Sequence, residues 1–147
     1  MSAYSRGSLH TGSREPPQRI VVDDTGAILA GLPLSLPARH YTTPQVVEEV
    51  RDRDSKAVLE TALESGRLEV REPPNWALSE ARRAAVRAGV SGKLSSTDLS
   101  VLALALHLTR ECRCEVLIAT DDYALQLTAK RSGLGVVRIR YPGVRET

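Results

Sequence analysis

Short apolar runs alternate with longer amphipathic stretches along this chain, and the most apolar runs stop abruptly on acids. Ile20-Val21-Val22 ends in Asp23-Asp24, and the Thr25-Gly26 and Ala27-Ile28-Leu29-Ala30 that follow predict a turn and a short helix. Residues 31–37 (GLPLSLP) are predicted to be a loop, because two prolines exclude a regular helix there. Thr43-Pro44 has the form of an N-cap followed by proline at the first helical position, and Val46, Val47 and Val50 mark the buried face of that helix. A second helix is predicted over 55–65, stopped at Gly66, then a short strand over 67–71. Asn75 caps a basic helix reaching about Ala88. Ser96 or Thr97 caps a helix that is apolar nearly all round between Val101 and Leu108, as expected of one buried against a sheet. Residues 115–120 (EVLIAT) repeat the design of the first strand and end in Asp121-Asp122, before a helix over 123–131 and a last strand over 136–139.

Strands separated by helices of this length imply right-handed crossovers and a mostly parallel sheet. Two strands with the same acidic ending then place both pairs at one edge, where the carboxyl ends of parallel strands form the ligand crevice of an open α/β fold. On the helix after Pro44, Glu49 lies about 107° from the centre of the apolar arc and Glu48 about 153°. Glu49 is therefore at the edge of the buried face, and Glu48 points to solvent. Asp98 stands in the first turn of the buried helix, where the helix dipole alone would favour an acid. His107 is about 180° around that helix from Asp98 and does not share its site.

Length and composition narrow this picture. The 147 residues fit one domain with a real core. It is read as a Ser/Gly/Pro-rich arm over 1–18, a domain over 19–140 and a tail over 141–147. No apolar run approaches the ~18–20 residues that span a bilayer, and the N-terminus has no secretory apolar core, so a cytoplasmic protein is expected. Cys112 and Cys114 are too few for a four-ligand zinc site and too close for an ordinary disulfide framework, and are read as two thiols. The formal charge of +2 conceals two basic segments, one with Arg82, Arg83, Arg87 and Lys93, the other with Lys130, Arg131, Arg138, Arg140 and Arg145. They flank a carboxylate-rich middle and suit a polyanion held beside a cation site. No Phe and one Trp argue against base-stacking sheets of the RRM or OB kind.

Each acid has a plausible structural role alone. Together Asp24 and Asp122 at strand ends, Glu49 at a helix edge and Asp98 at a helix start form a set with no His or Cys in register as a nucleophile–base pair. Carboxylates crowded in one cleft repel, so the set makes sense around a hard cation. Mg²⁺ or Mn²⁺ fits oxygen ligands, whereas zinc wants N or S. Such an ion can activate a water and stabilise charge on a phosphodiester, which removes the need for a histidine base.

Residues 20–147 resemble PIN-domain ribonucleases. Within them, YTTPQVVEEVRD, LSSTDLSVLALAL and TDDYALQ are similar to the NIN-one-binding-protein family, endonucleases that mature the 3′ end of small-subunit ribosomal RNA. The resemblance implies a three-layer α/β/α sandwich with a mostly parallel sheet and places metal ligands on Asp24, Glu49, Asp98 and Asp122. Asp121 is a helper, and Thr25 and Thr120 support the site. It also implies attack by a metal-activated water on precursor rRNA, with assembly factors as partners and self-association left open. Gly26 departs from the family's usual Ser, Leu127 from its Asn, and Val90-Ser91 from its Gly-Asp, while GVRET stands near where the family continues into a zinc ribbon. Three rivals are carried: a VapC-like toxin ribonuclease, a catalytically idle RNA- or ribosome-binding module on the same fold, and a receiver domain suggested by IVVDDT. The receiver lacks its phosphoacceptor Asp after the middle strand, which ends in Arg71-Glu72, and its late Lys.

Overall fold

The computed structural model describes residues 18–139. Most of the expected N-terminal arm, the C-terminal tail, Arg140 and Arg145 lie outside the described residues. Five strands, β1 (Arg19–Asp23), β2 (Arg39–Thr42), β3 (Leu68–Val70), β4 (Glu115–Ala119) and β5 (Gly135–Val137), form one sheet in the order β3-β2-β1-β4-β5. All four pairings are parallel, and Ile20 to Asp23 run in register with Val116 to Ala119. The helices between them are α1 (Thr25–Leu29), α2 (Leu32–Ser35), α3 (Pro44–Glu49), α4 (Arg53–Glu64), α5 (Asn75–Arg87), α6 (Ser96–Glu111) and α7 (Tyr123–Arg131). This is the α/β sandwich with a parallel sheet that the sequence implied.

Strand order decides where a site can form. From β1 the chain winds outward through β2 to β3, then returns to the other side of β1 for β4 and β5. The winding reverses between β1 and β4, so the crevice opens at their carboxyl ends, which carry Asp23-Asp24 and Thr120-Asp121-Asp122. A receiver domain has the strand order 2-1-3-4-5, so this sheet rules that reading out.

Both sheet faces are covered, which is why the central strands are apolar without a break. Ile20, Val22, Val116 and Ile118 face the larger core with Val101, Leu102, Leu104 and Leu108 of α6, all essentially buried. Val21 and Ala119 face a smaller cluster with Ala27, Ala30 and Leu32. At the β5 edge a Cβ on Gly135 would stand 2.9 Å from the Leu117 side chain, so glycine is what lets β5 lie alongside β4 there.

The structure corrects several boundaries. Residues 32–35 form a short helix within the expected loop, because Pro33 sits in its first turn, where a missing N–H costs nothing. Strand β2 was not expected, since Arg39-His40-Tyr41-Thr42 shows no aliphatic pattern, yet three of its four residues are buried. Asn75 is the first residue of α5 and Pro74 its cap, with no side-chain cap bond. Ser95, not Ser96 or Thr97, caps α6. Cys112 and Cys114 are bonded to each other in the turn after α6, their Cα atoms 5.2 Å apart and within the reach of a bridge.

A carboxylate crevice at the strand ends

Each acid of the crevice is placed by a local folding rule. Asp24 leaves β1 with extended backbone and caps α1, its Oδ1 accepting from the Ala27 N–H at 2.8 Å. Asp122 does the same after β4, Oδ1 accepting from the Leu125 N–H at 2.9 Å. Asp98 is the third helical residue of α6 and closes a capping box: its Oδ2 accepts from the Ser95 N–H while Ser95 Oγ accepts from the Asp98 N–H, both at 3.0 Å. Three helix N-termini thus present carboxylates, each with a second oxygen beyond the one committed to its cap.

Glu49 joins them from the last position of α3. Its Oε1 accepts from Thr25 Oγ1 and its Oε2 from Thr97 Oγ1, both at 2.7 Å, so the carboxylate bridges the starts of α1 and α6. Helix α3 is held in phase by Thr43, which caps it and whose hydroxyl meets Ser100 of α6 at 2.9 Å. Thr97 is a residue that sequence reasoning missed; its place directly before Asp98 was the available signal. Thr120 directly follows β4, its hydroxyl bonded to Asp24 and accepting from the Asp122 N–H at 3.1 Å. Asp121 is exposed and lies close enough to Asp24 to raise its pKa.

These carboxylates feel one another. Burial pushes Asp24 up to about 6, and the charges of Asp121 and Asp98 add to that rise. Asp98 is also raised, chiefly by burial, with Asp122 and Glu49 contributing. The charges acting on both groups are therefore negative ones. As the side chains stand, no group of three or more His, Cys, Asp or Glu among the described residues is arranged to hold a metal ion. The donor chemistry still fits a hard divalent cation: oxygen ligands only, mutual repulsion, and carboxylates held apart on their own helix caps.

Beneath the crevice is a second missed feature. Asp23 is buried, and its Oδ2 lies 2.6 Å from His40 Nδ1, while His40 Nε2 lies 2.8 Å from the Leu36 carbonyl. That carbonyl can only accept, so Nε2 carries hydrogen, and the Asp23–His40 contact then needs one further proton shared by the pair. Asp23 Oδ1 has no hydrogen-bond partner among the described residues, so among them the pair carries the burden of burying this acid. Thr42 Oγ1 donates to the Asp23 carbonyl at 2.7 Å and fixes the same strand end from β2. Burial raises Asp23 against the pull of His40; burial lowers His40, but the bond and charge of Asp23 outweigh it and leave His40 raised. Both shifts run upward, so the folded chain holds the shared proton more tightly than the unfolded one. The His40 share of this stability is complete below the ordinary histidine value and is lost as pH rises through the raised one, while the Asp23 share is complete only below about pH 4 and is gone above about pH 6. We expect urea unfolding of the parent to lose stability more steeply between pH 6 and 9 than His40→Gln, and His40→Ala to cost about 3–5 kcal/mol at pH 6 by stranding Asp23.

The basic residues divide. Lys93 sits in the 3₁₀ turn Ser91–Lys93, just before the α6 start that carries Asp98. Arg82, Arg83 and Arg87 line a separate shallow depression with Val86, and none of the four acids lines it. Arg83 and Arg87 also pair with Glu80 at 3.0 and 3.5 Å. Lys130 and Arg131 are exposed at the far end of α7. His107 is engaged elsewhere, with Glu111 and the edge of Trp76. No helix among the described residues is long and apolar enough to cross a membrane.

Comparison with known proteins gives a consistent result. A family profile described as the PIN domain of ribonuclease matches residues 20–108, which include Asp24, Glu49 and Asp98. Ribonuclease VapC3 of Aeropyrum pernix is 53% identical over 97% of this chain and 99% of its own length. Endoribonuclease Nob1 of Pyrococcus abyssi is 40% identical over 78% of this chain, and Endoribonuclease Nob1 of Methanothermobacter thermautotrophicus 37% identical over 74%. The match spans 65% and 62% of those two Nob1 proteins.

Proposed function

Because this chain belongs to the PIN-domain family of ribonucleases, we propose that its crevice is a Mg²⁺- or Mn²⁺-dependent endonuclease centre acting on single-stranded RNA. The observation that carries the reading is that four carboxylates from four separate segments, Asp24, Glu49, Asp98 and Asp122, lie near enough around the ends of β1 and β4 and the start of α6 for Asp98 to feel the charges of Asp122 and Glu49 and for Asp24 to feel that of Asp98. In this reading those four hold the cation and Asp121 assists. A bound divalent ion supplies Lewis-acid stabilisation of the phosphodiester and lowers the pKa of a water. The chain itself does the positioning: Thr25 and Thr97 hold both oxygens of Glu49, Thr120 bonds to Asp24, and helix caps fix Asp24, Asp98 and Asp122. Lys93, Lys130 and Arg131 are the basic residues proposed to draw the RNA backbone toward an acidic crevice that would otherwise repel it.

Likeness to the NIN-one-binding-protein family supports precursor small-subunit rRNA in the cytoplasm as the substrate, with assembly factors as partners. A toxin ribonuclease is the second reading, favoured by the 53% identity to Ribonuclease VapC3 along nearly its whole length. Incubation with precursor rRNA and with unrelated RNA, in Mn²⁺ and in EDTA, followed by end mapping, tests both. Cleavage confined to the 3′ end of the small-subunit precursor supports maturation; preferential cutting of other cellular RNA supports the toxin. Products should carry 5′-phosphate and 3′-hydroxyl ends, and full activity in EDTA or 2′,3′-cyclic phosphates would contradict the chemistry. Affinity should fall with salt at a log–log slope of roughly −2 to −3, as for three or four neutralised phosphates.

A further inference from the structure

Beside the crevice is a cleft of about 480 Å³ between α7 and the β5 edge, within the range of small-ligand sites at about 300–1,000 Å³. Its lining combines three chemistries. Tyr123 is 75% exposed, the most open of the large apolar side chains among the described residues, at the first position of α7. Val136 and Ile139 supply apolar wall, and Lys130 and Arg138 supply two cations. Neither cation is in an ion pair with a described residue. Asp121 forms the side nearest Asp122 and so joins the cleft directly to the acidic crevice.

An exposed aromatic at the mouth of a cleft offers a stacking face, and a base is the flat apolar partner that single-stranded RNA provides. Two cations that form no ion pair with a described residue, in the same lining, suit the phosphate attached to that base. Lipid is a poor match because the apolar wall is small, and a protein partner would not require the two cations beside an acidic catalytic end. We propose that this cleft is a nucleotide subsite flanking the scissile phosphate. One base stacks on Tyr123 against Val136 and Ile139, and its phosphate is held by Lys130 and Arg138. This rests on the nuclease reading above and adds to it a residue, Tyr123, that sets which nucleotide lies next to the cut. Because stacking tolerates any base, the subsite fixes register along the strand more than sequence.

The test uses the full chain carrying Asp24→Asn to prevent turnover, with Mg²⁺ and a single-stranded RNA oligonucleotide in which 2-aminopurine is moved through successive positions. Fluorescence should be quenched at one position only, adjacent to the bond that the parent cuts. Tyr123→Ala should abolish that quenching and weaken binding about 10-fold, while Tyr123→Phe should preserve both. Lys130→Gln and Arg138→Gln should each make the salt dependence shallower by about 0.7 in log–log slope. Uniform quenching at all positions, or unchanged binding in Tyr123→Ala and both Gln variants while the parent cleaves RNA, overturns the subsite and leaves the nuclease reading standing. A parent that neither binds nor cuts RNA overturns both.

Discussion

Asp24→Asn should lower RNA cleavage by about 10³-fold, equivalent to roughly 4 kcal/mol of barrier, and should stabilise the metal-free protein at pH 7.5. Both effects come from one carboxylate. Asp24 is buried among acids, and its pKa is raised from 3.8 to about 6, so at neutral pH the folded chain carries a charge that the unfolded chain hydrates more readily. For a raised carboxylate, the folded state binds the extra proton between the two values. Stability is therefore greatest below about pH 4, falls as pH rises to about 6 and stays low above it. At 1.36 kcal/mol per pKa unit, removing the charge should return about 1–3 kcal/mol at pH 7.5 and nothing below pH 4. Asparagine keeps an oxygen for the Ala27 N–H, so the α1 cap survives and does not confuse the comparison. Urea unfolding of both chains in EDTA at pH 4 and pH 7.5 measures this, with cleavage rates measured in parallel with Mn²⁺. Destabilisation by Asp24→Asn at pH 7.5 would show that the crevice does not repel as argued. A stability gain coupled to lost activity is the expected mark of a site whose charges are gathered for function.

Glu49→Gln is expected to cost about 10²-fold in cleavage, and the neighbouring Glu48→Gln almost nothing. Both glutamates are exposed on α3, so burial does not distinguish them. Hydrogen bonding does: Glu49 receives hydroxyls from both Thr25 and Thr97, which aim it between the starts of α1 and α6. A glutamine keeps the shape and one acceptor oxygen but loses the charge that a divalent cation needs. Thr97→Val should then give a smaller loss than Glu49→Gln, because it releases one side of the carboxylate without removing the charge. Rates measured under single-turnover conditions, where product release does not mask the chemical step, decide the order. Equal losses in Glu48→Gln and Glu49→Gln would show that the two Thr bonds do not select the working carboxylate.

Much of this arrangement was legible because local rules and chemistry coincide. A β-branched run ending in Asp-Asp announces both a buried strand and the helix cap that follows it, and the structure shows those roles in Asp24 and Asp122. The Thr-Pro start of α3 and the apolar surface of α6 were equally plain. Strand β2 was not legible. Its residues are Arg, His, Tyr and Thr, and it forms because β1 and β3 flank it and its side chains find specific partners, none of which periodicity can reveal. His40 was missed for the same reason, since its partner Asp23 lies 17 residues away and the pairing depends on the register of β1 with β2. Ser95 was passed over as a cap because three hydroxyl residues stand in a row, and only the reciprocal bond with Asp98 identifies the right one. For the basic residues of α5 the sequence offered charge alone, and only the fold shows that Arg82, Arg83 and Arg87 line a shallow depression with Val86.

Titration of Mn²⁺ into the metal-free chain at pH 7.5, followed by isothermal calorimetry, shows whether the four carboxylates form one cation site. Saturable binding is expected, weakened at least about 10-fold by Asp24→Asn and by Glu49→Gln and unchanged by Glu48→Gln. Absence of saturable binding in the parent, or equal affinity in the parent and Asp24→Asn, would contradict a shared cation site.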